Sequence, residues 1–354
     1  MALKLAFCSV EQIEETMHFL RDHWSANHVL ASSRALMEWQ HKSTDKQRYN
    51  LALALDDNGI HGLLGVIPIS QYDSALASTD TAWLTTWKVR EGTKYGGLGL
   101  KLLRFVEQNI PHEMIGTVGN NDLVARFYAA MGYRTGRLTQ FALINRARSN
   151  YHLIAVTDPH ECPSPPEDQP PIKPIHEFAD GGLDRFKALF NRFDQSEIFP
   201  KRSLAFYQNR YLTSPFYHYR LFGIGHENAL QALFIVRSVE ANGSRALRIV
   251  DYFGPPEAFL ETGPAFRSLL GREQAEYVDF YATGFPEEIP CQAGFFIVDP
   301  MGSVTIPNYY EPFVRKNVTI NYAYKIKRKE TARFVAFKGD CDQDRPSILP
   351  KDVP

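Results

Sequence analysis

Trp87-Lys-Val89-Arg-Glu-Gly-Thr-Lys94-Tyr95-Gly96-Gly97-Leu98-Gly99-Leu100-Lys101 is the stretch on which the fold turns. The residues before it, Ala82 to Val89, read as a strand. Those after it, Leu98, Leu102, Phe105 and Val106, recur at helical spacing. Between strand and helix sits Lys94-x-x-Gly97-x-Gly99. Glycine lets a backbone approach an anion closely, and a helix N-terminus presents unpaired N–H groups at the positive end of its dipole. A glycine turn in this place suits a pyrophosphate. No Gly-Lys-Ser/Thr follows, which excludes a P-loop. A dinucleotide fold is disfavoured, because the strands upstream form a meander and not a β-α-β unit.

That meander is read from Leu51 to Leu55, Leu63 to Ile69 and Ala82 to Val89. Its first two strands are joined by Asp57-Asn58-Gly59, which predicts a type I′ hairpin turn. Upstream lie a strand from Leu3 to Cys8 and helical faces carrying Ile13, Met17 and Leu20, then Leu36 and Trp39. Downstream come a strand from Met114 to Val118, a helix with Leu123, Val124, Phe127, Tyr128 and Met131 capped by Asn121, and a closing strand from Leu138 to Ile144. The order is β-α-α-β-β-β-α-β-α-β.

Prolines crowd the segment 157–174, which reads as a stiff linker that is neither helix nor central strand. It divides the chain into residues 1–156 and 175–354. After it an α-α-β-β-β-α-β series recurs, with strands over Tyr217 to Ile224, Leu230 to Val236, Ala246 to Phe253 and Tyr277 to Tyr281, so the second half reads as a diverged repeat. Val318 to Ile326 and Ala332 to Phe337 add two strands. In the repeat, Gly254-Pro255-Pro256 stands where the glycine loop would be. Two prolines remove N–H donors that a phosphate needs, so this half is not expected to bind one.

A net charge of −1 argues against a nucleic-acid partner, and no apolar run is long enough for a membrane span. The acidic cluster after the apolar N-terminus argues against a signal peptide, and the four cysteines form no Cys-x-x-Cys pair, so a cytoplasmic protein with free thiols is expected. Asp340, Asp342 and Asp344 are spaced like a calcium loop. Arg345 stands at its glycine position and Lys351 at its glutamate position, so no metal is expected there.

Two motifs together resemble the GNAT N-acetyltransferase superfamily. Val89, Lys94, Gly97 and Gly99 match its Val-x(4)-Arg/Gln-x-x-Gly-x-Gly/Ala, with lysine at the Arg/Gln position. Asn121-x-x-Val124-x-x-Phe127-Tyr128-x-x-x-Gly132-Tyr133 is similar to its Asn-x-x-Ala-x-x-Phe-Tyr-x-x-x-Gly-Phe. The resemblance implies an α+β protein of two GNAT-like domains in tandem, each a mixed, mostly antiparallel sheet flanked by helices. It implies acyl-CoA as co-substrate, held by Trp87, Val89, Lys94, Tyr95, Gly96, Gly97, Gly99, Leu100 and Asn121. It makes Tyr128 the acid for the leaving thiolate and places an acceptor site near His28.

The blocks Trp24 to Leu30, Trp39-Gln40, Leu64 to Asp73, Trp83 to Trp87, Arg210-Tyr211, Tyr310 to Phe313 and Phe337 to Pro346 look like a narrower group. These are tandem-GNAT sugar N-acyltransferases of bacterial surface-polysaccharide pathways, such as those acting on the amino-sugar precursor of anthrose. That resemblance implies a nucleotide-linked amino sugar as acceptor, bound by His28, Thr85, Asp342, Asp344 and Tyr310. His28, Thr86 and Asp342 then join Tyr128 in catalysis. Strand side chains alternate, so one of Thr85 and Thr86 is expected to face the cleft. Two other readings remain open at this point: an aminoacyl transferase of the peptidoglycan-bridge type, which is also tandem GNAT, and a non-catalytic CoA-binding module.

Overall fold

The structure is a computed structural model. It describes residues 2–43, 47–156, 173–178, 182–327, 331–345 and 347–348, so most of the proline-rich segment lies outside the described residues. The first half runs β1 (Lys4–Ser9), α1 (Ile13–His23), α2 (Val29–Ser32), α3 (Arg34–His41), β2 (Lys42–Ser43), β3 (Arg48–Asp56), β4 (Gly59–Pro68), β5 (Thr81–Val89), α4 (Leu98–Asn109), β6 (Met114–Asn120), α5 (Asp122–Ala130), β7 (Arg134–Arg137) and β8 (Thr139–Ile144). The second continues with β9 (Ile175–Phe178), α6 (Lys187–Arg192), β10 (Ile198–Phe199), α7 (Leu204–Tyr207), β11 (Tyr219–His226), β12 (Ala229–Ala241), β13 (Ser244–Phe253), α8 (Gly263–Glu273), β14 (Tyr277–Thr283), α9 (Glu288–Gln292), β15 (Phe296–Ile297), β16 (Tyr309–Tyr310), β17 (Phe313–Val314), β18 (Asn321–Ile326), β19 (Arg333–Phe334) and β20 (Ala336–Phe337).

Two eight-stranded mixed sheets result, in the expected α+β architecture. One has the order β1-β3-β4-β5-β6-β18-β7 with β2 beside β3. The other has the order β15-β8-β14-β13-β12-β11-β9 with β20 beside β14. The helices form for local reasons. Ser33 and Asn121 accept the N–H groups of Leu36 and Val124 to cap α3 and α5, the latter as expected. The apolar stripe of α4 buries Leu98, Leu102, Leu103 and Val106.

The halves exchange strands. β8 pairs antiparallel with β14 and β15 of the second sheet, while β18 lies between β6 and β7 of the first. The strand expected to close the first half therefore serves the other sheet. Local composition makes Thr139–Ile144 a strand, but its partner is chosen by the tertiary fold. The hairpin between β3 and β4 also differs from expectation. Positive φ falls on Gly59 and not on Asp57 or Asn58, so the turn is not type I′. Asp56 Oδ1 instead accepts the Asn58 N–H at 2.8 Å and tightens the turn from outside.

Candidate active site

β5 and β6 are parallel neighbours only at their starts, where Thr81, Ala82 and Trp83 pair with Met114, Ile115 and Gly116. Both strands then continue unpaired with each other, to Val89 and Asn120, and the sheet opens as a V. On the other edge of β5, Leu84 faces Val66 and Trp87 faces Leu64, so Thr85 and Thr86 together oppose the single residue Gly65. This is a β-bulge, and a bulge re-aims side chains. Both threonines line the cleft, where alternation had allowed one. Each hydroxyl is buried without a hydrogen-bond partner.

The V opens into a cavity of about 630 Å³ between the halves. Trp24, His28, Trp87, Asn121, Tyr128 and Asp342 stand in its wall. Residues separated by more than three hundred positions thus meet, while Val89, Lys94, Tyr95, Gly96, Gly97, Gly99 and Leu100 lie outside its lining. The other expected acceptor residues do not line it. Asp344 is buried against the second half, where Tyr219 donates to its Oδ2 at 2.8 Å and Arg237 Nη1 lies 3.6 Å from Oδ1. The Tyr310 hydroxyl bonds to that of Tyr277, and its ring lies 5.4 Å from the Arg248 guanidinium. The neighbours Tyr309 and Arg345 face the cavity in their place.

The three aspartates of the C-terminal run have separate tasks. Asp340 receives Arg202 Nη2 at 2.7 Å, and Asp344 is held by Arg237 and Tyr219, so both fix the run to the second half. Asp342, between them, points the other way. Its Oδ2 accepts from Arg345 at 3.0 Å and from Gln40 of α3 at 3.4 Å. Burial pushes its carboxyl up, but Arg345 and the remaining partners outweigh this and hold it below the ordinary value. It is an anion facing the cavity. Gln343 follows it and lies in the space that a side chain at Gly119 would fill.

His28 caps α2, its Nδ1 accepting the Leu30 N–H at 3.3 Å. Burial, then repulsion from Arg345, pulls its pKa down to about 4. The ring is neutral near pH 7, and the cap assigns its remaining proton to Nε2. His28 therefore offers a donor to the cavity and is a poor base. Tyr128 is buried, packed 5.6 Å from the Trp87 ring and 4.9 Å from Tyr133. Burial pushes its phenol far above the usual value, so it stays protonated.

The glycine loop is braced from the β3–β4 hairpin. Asp56 accepts the Tyr95 hydroxyl at 2.6 Å and His61 Nε2 at 2.9 Å, and Lys94 Nζ lies 3.2 Å away. These partners hold its carboxyl well below the usual range. Gly97 closes the loop at φ +65°, a conformation that disfavours side chains, and has no side chain to cap α4. The first N–H groups of this twelve-residue helix are open to a ligand. Gly96 and Gly97 face open space, as an anion cradle requires. Gly99 has another reason: a Cβ there would stand 3.2 Å from the Trp87 indole. Asp56 was invisible in the sequence, since nothing local marks it as the loop's anchor.

In the second half the equivalent cleft is narrowed. β13 and β14 pair in parallel only over Leu247, Arg248 and Ile249 against Val278, Asp279 and Phe280. Past that point β20 adds to β14, and the Gly339 N–H donates to the Val250 carbonyl at 2.6 Å. The chain itself occupies the vertex of the V, and a cavity of about 300 Å³ lined by Gly254, Pro255 and Gly284 remains beyond it.

No protein-family model matches the chain, and no curated protein matches it. Solved structures do. A GCN5-related N-acetyltransferase from Anabaena variabilis is 14% identical, with 92% of this chain and 73% of that one covered at a TM-score of 0.55. A conserved protein of unknown function from Enterococcus faecalis, described as a probable N-acyltransferase, is 8% identical, with 92% and 72% covered at a TM-score of 0.51. The fold is that of the GCN5-related N-acetyltransferases, in two tandem copies.

Proposed function

We propose that the protein is an acyl-CoA-dependent N-acyltransferase whose acceptor is the amine of a nucleotide-linked amino sugar. The observation that carries the reading is the open V between β5 and β6, with a cavity walled by Trp87, Tyr128 and Asp342 and the uncapped N-terminus of α4 lying against the Trp87 indole at Gly99. The pyrophosphate of CoA sits over Gly96 and Gly97, and pantetheine follows the unpaired edge of β5. Holding thioester and amine together removes much of the entropic barrier to attack. Backbone N–H groups at the Thr85–Thr86 bulge polarise the carbonyl.

The amine attacks the thioester carbon, a C–N bond forms, and the C–S bond breaks. The amine attacks in its neutral form, the proton of its ammonium form having first been released to solvent. The carboxylate of Asp342 orients it and takes the second proton, which the nitrogen sheds once the C–N bond has formed and made it acidic. Tyr128 donates a hydrogen bond to the departing sulfur. A thiolate has a pKa of ~8.5, below that of this buried phenol, so full proton transfer from Tyr128 is uphill. Its part is charge stabilisation, a weaker role than the acid implied by the motif. Support for a sugar comes from the mouth of the cavity, where Trp24 is 43% exposed beside Ser25, Asn27 and Arg345. A half-exposed indole among polar groups suits a hydroxylated ring.

The test is thiol release from acetyl-CoA with a panel of nucleotide-linked amino sugars, for the wild type and Asp342→Asn. The proposal requires turnover with at least one sugar. It also requires a loss of roughly 10²-fold or more in kcat for the variant, with acetyl-CoA affinity retained. Turnover only with charged tRNA, or none with any amine, contradicts it.

A further inference from the structure

We propose that Cys341 is the floor of the acyl pocket and restricts the donor to acetyl-CoA. The inference rests on the acyl-CoA reading above. The last parallel pair of the V is Trp83 with Gly116, and the next residues on each arm are Leu84 and Thr117-Val118. The Cys341 sulfur sits between those arms. It donates to the Leu84 carbonyl at 3.3 Å and lies near the Val118 backbone. Leu84, Thr117 and Val118 of these arms line the cavity, as does Asp342, the residue after Cys341. A side chain from the far end of the chain thus plugs the vertex of a cleft built by the first half.

The distances set the size of the group. With the thioester carbonyl at the Thr86 N–H, about two residues separate it from Leu84, at most roughly 6.6 Å because the bulge shortens the strand there. A carbonyl-to-methyl bond plus one van der Waals contact to sulfur takes up about 5.5 Å of that. An acetyl group fits, and each further methylene meets the thiol.

The plug is firmly held. Asp340 and Asp344, on either side, are anchored to Arg202 and Arg237. Cys341 itself lies at φ +61°, a region its side chain disfavours. Burial pushes its thiol pKa well up, so it is a neutral wall and not a nucleophile.

The positive φ makes Cys341→Gly a tolerated opening of the pocket, and Cys341→Ala is a second variant that keeps the β-carbon. Calorimetry with CoA, acetyl-CoA and butyryl-CoA tests the idea without any acceptor. The wild type is expected to bind acetyl-CoA at least tenfold more tightly than butyryl-CoA. In Cys341→Gly that ratio should shift toward butyryl-CoA by about fourfold per methylene admitted, with free CoA unchanged, and Cys341→Ala should shift it the same way by less. Equal ratios in the folded wild type and both variants overturn the role of Cys341 while leaving the acyl-CoA reading intact. Failure of the folded wild type to bind any of the three ligands overturns both.

Discussion

Single side chains in the cleft divide the work by their surroundings. Asp342 and Tyr128 both lie largely out of water, yet Arg345 keeps the first ionised and nothing compensates the second. A buried phenol without a charged partner is a hydrogen-bond donor of fixed aim. Replacing it removes one bond to a developing thiolate, worth roughly 1.5–3 kcal/mol. Tyr128→Phe is therefore expected to lower kcat by about 10- to 100-fold, with the dissociation constant of acetyl-CoA close to wild type. Stopped-flow or steady-state kinetics beside calorimetry checks this. An unchanged kcat would reduce Tyr128 to packing against Trp87 and Tyr133. His28 shows how environment overrides residue type. The sequence offers a histidine in a suitable place, but its cap on α2 and its lowered pKa turn it from acceptor to donor.

Among the elements, the exchanged strands matter most. β18 is hydrogen-bonded on both edges inside the first sheet, and β8 does the same in the second. A piece ending at Val156 would lose β18, expose the edges of β6 and β7, and leave β8 without its partners. Unpaired edges associate with other chains. Such a piece is expected to be insoluble or unfolded, and co-expression with residues 173–354 should recover a soluble complex. A monomeric 1–156 fragment with a cooperative melting transition would show that the exchange is dispensable.

This is also where the sequence was least readable. The glycine loop, the Asn121 cap and the helical faces are written in neighbouring residues and could be placed from spacing. The partner of Thr139–Ile144, the bulge that turns both Thr85 and Thr86 into the cleft, and the choice of Tyr309 over Tyr310 depend on contacts from far along the chain. The Asp340-x-Asp342-x-Asp344 pattern announced a cluster. Only the structure separates the two anchors from the one residue that faces the cavity.

At the scale of the whole molecule, one apolar core runs from Cys8, Leu20 and Met37 of the first half to Tyr211, Phe216 and Cys341 of the second. The halves are two copies of one fold, and the proposal gives them one working cleft between them. In the first, the V stays open and its helix N-terminus is bare. In the second, β20 and Gly339 fill the vertex of the V, and Gly254-Pro255-Pro256 stands in place of the glycine loop. In this proposal the second copy serves as the wall that carries Asp342 and the plug at Cys341. The number of acetyl-CoA molecules bound per chain tests this division directly. Calorimetric titration of the purified protein should give one site per chain. Gly97→Val, which strains the bare helix N-terminus, should abolish that site without lowering the melting temperature of the unliganded protein by more than a few degrees. Two sites per chain, or one site that survives Gly97→Val, would contradict it.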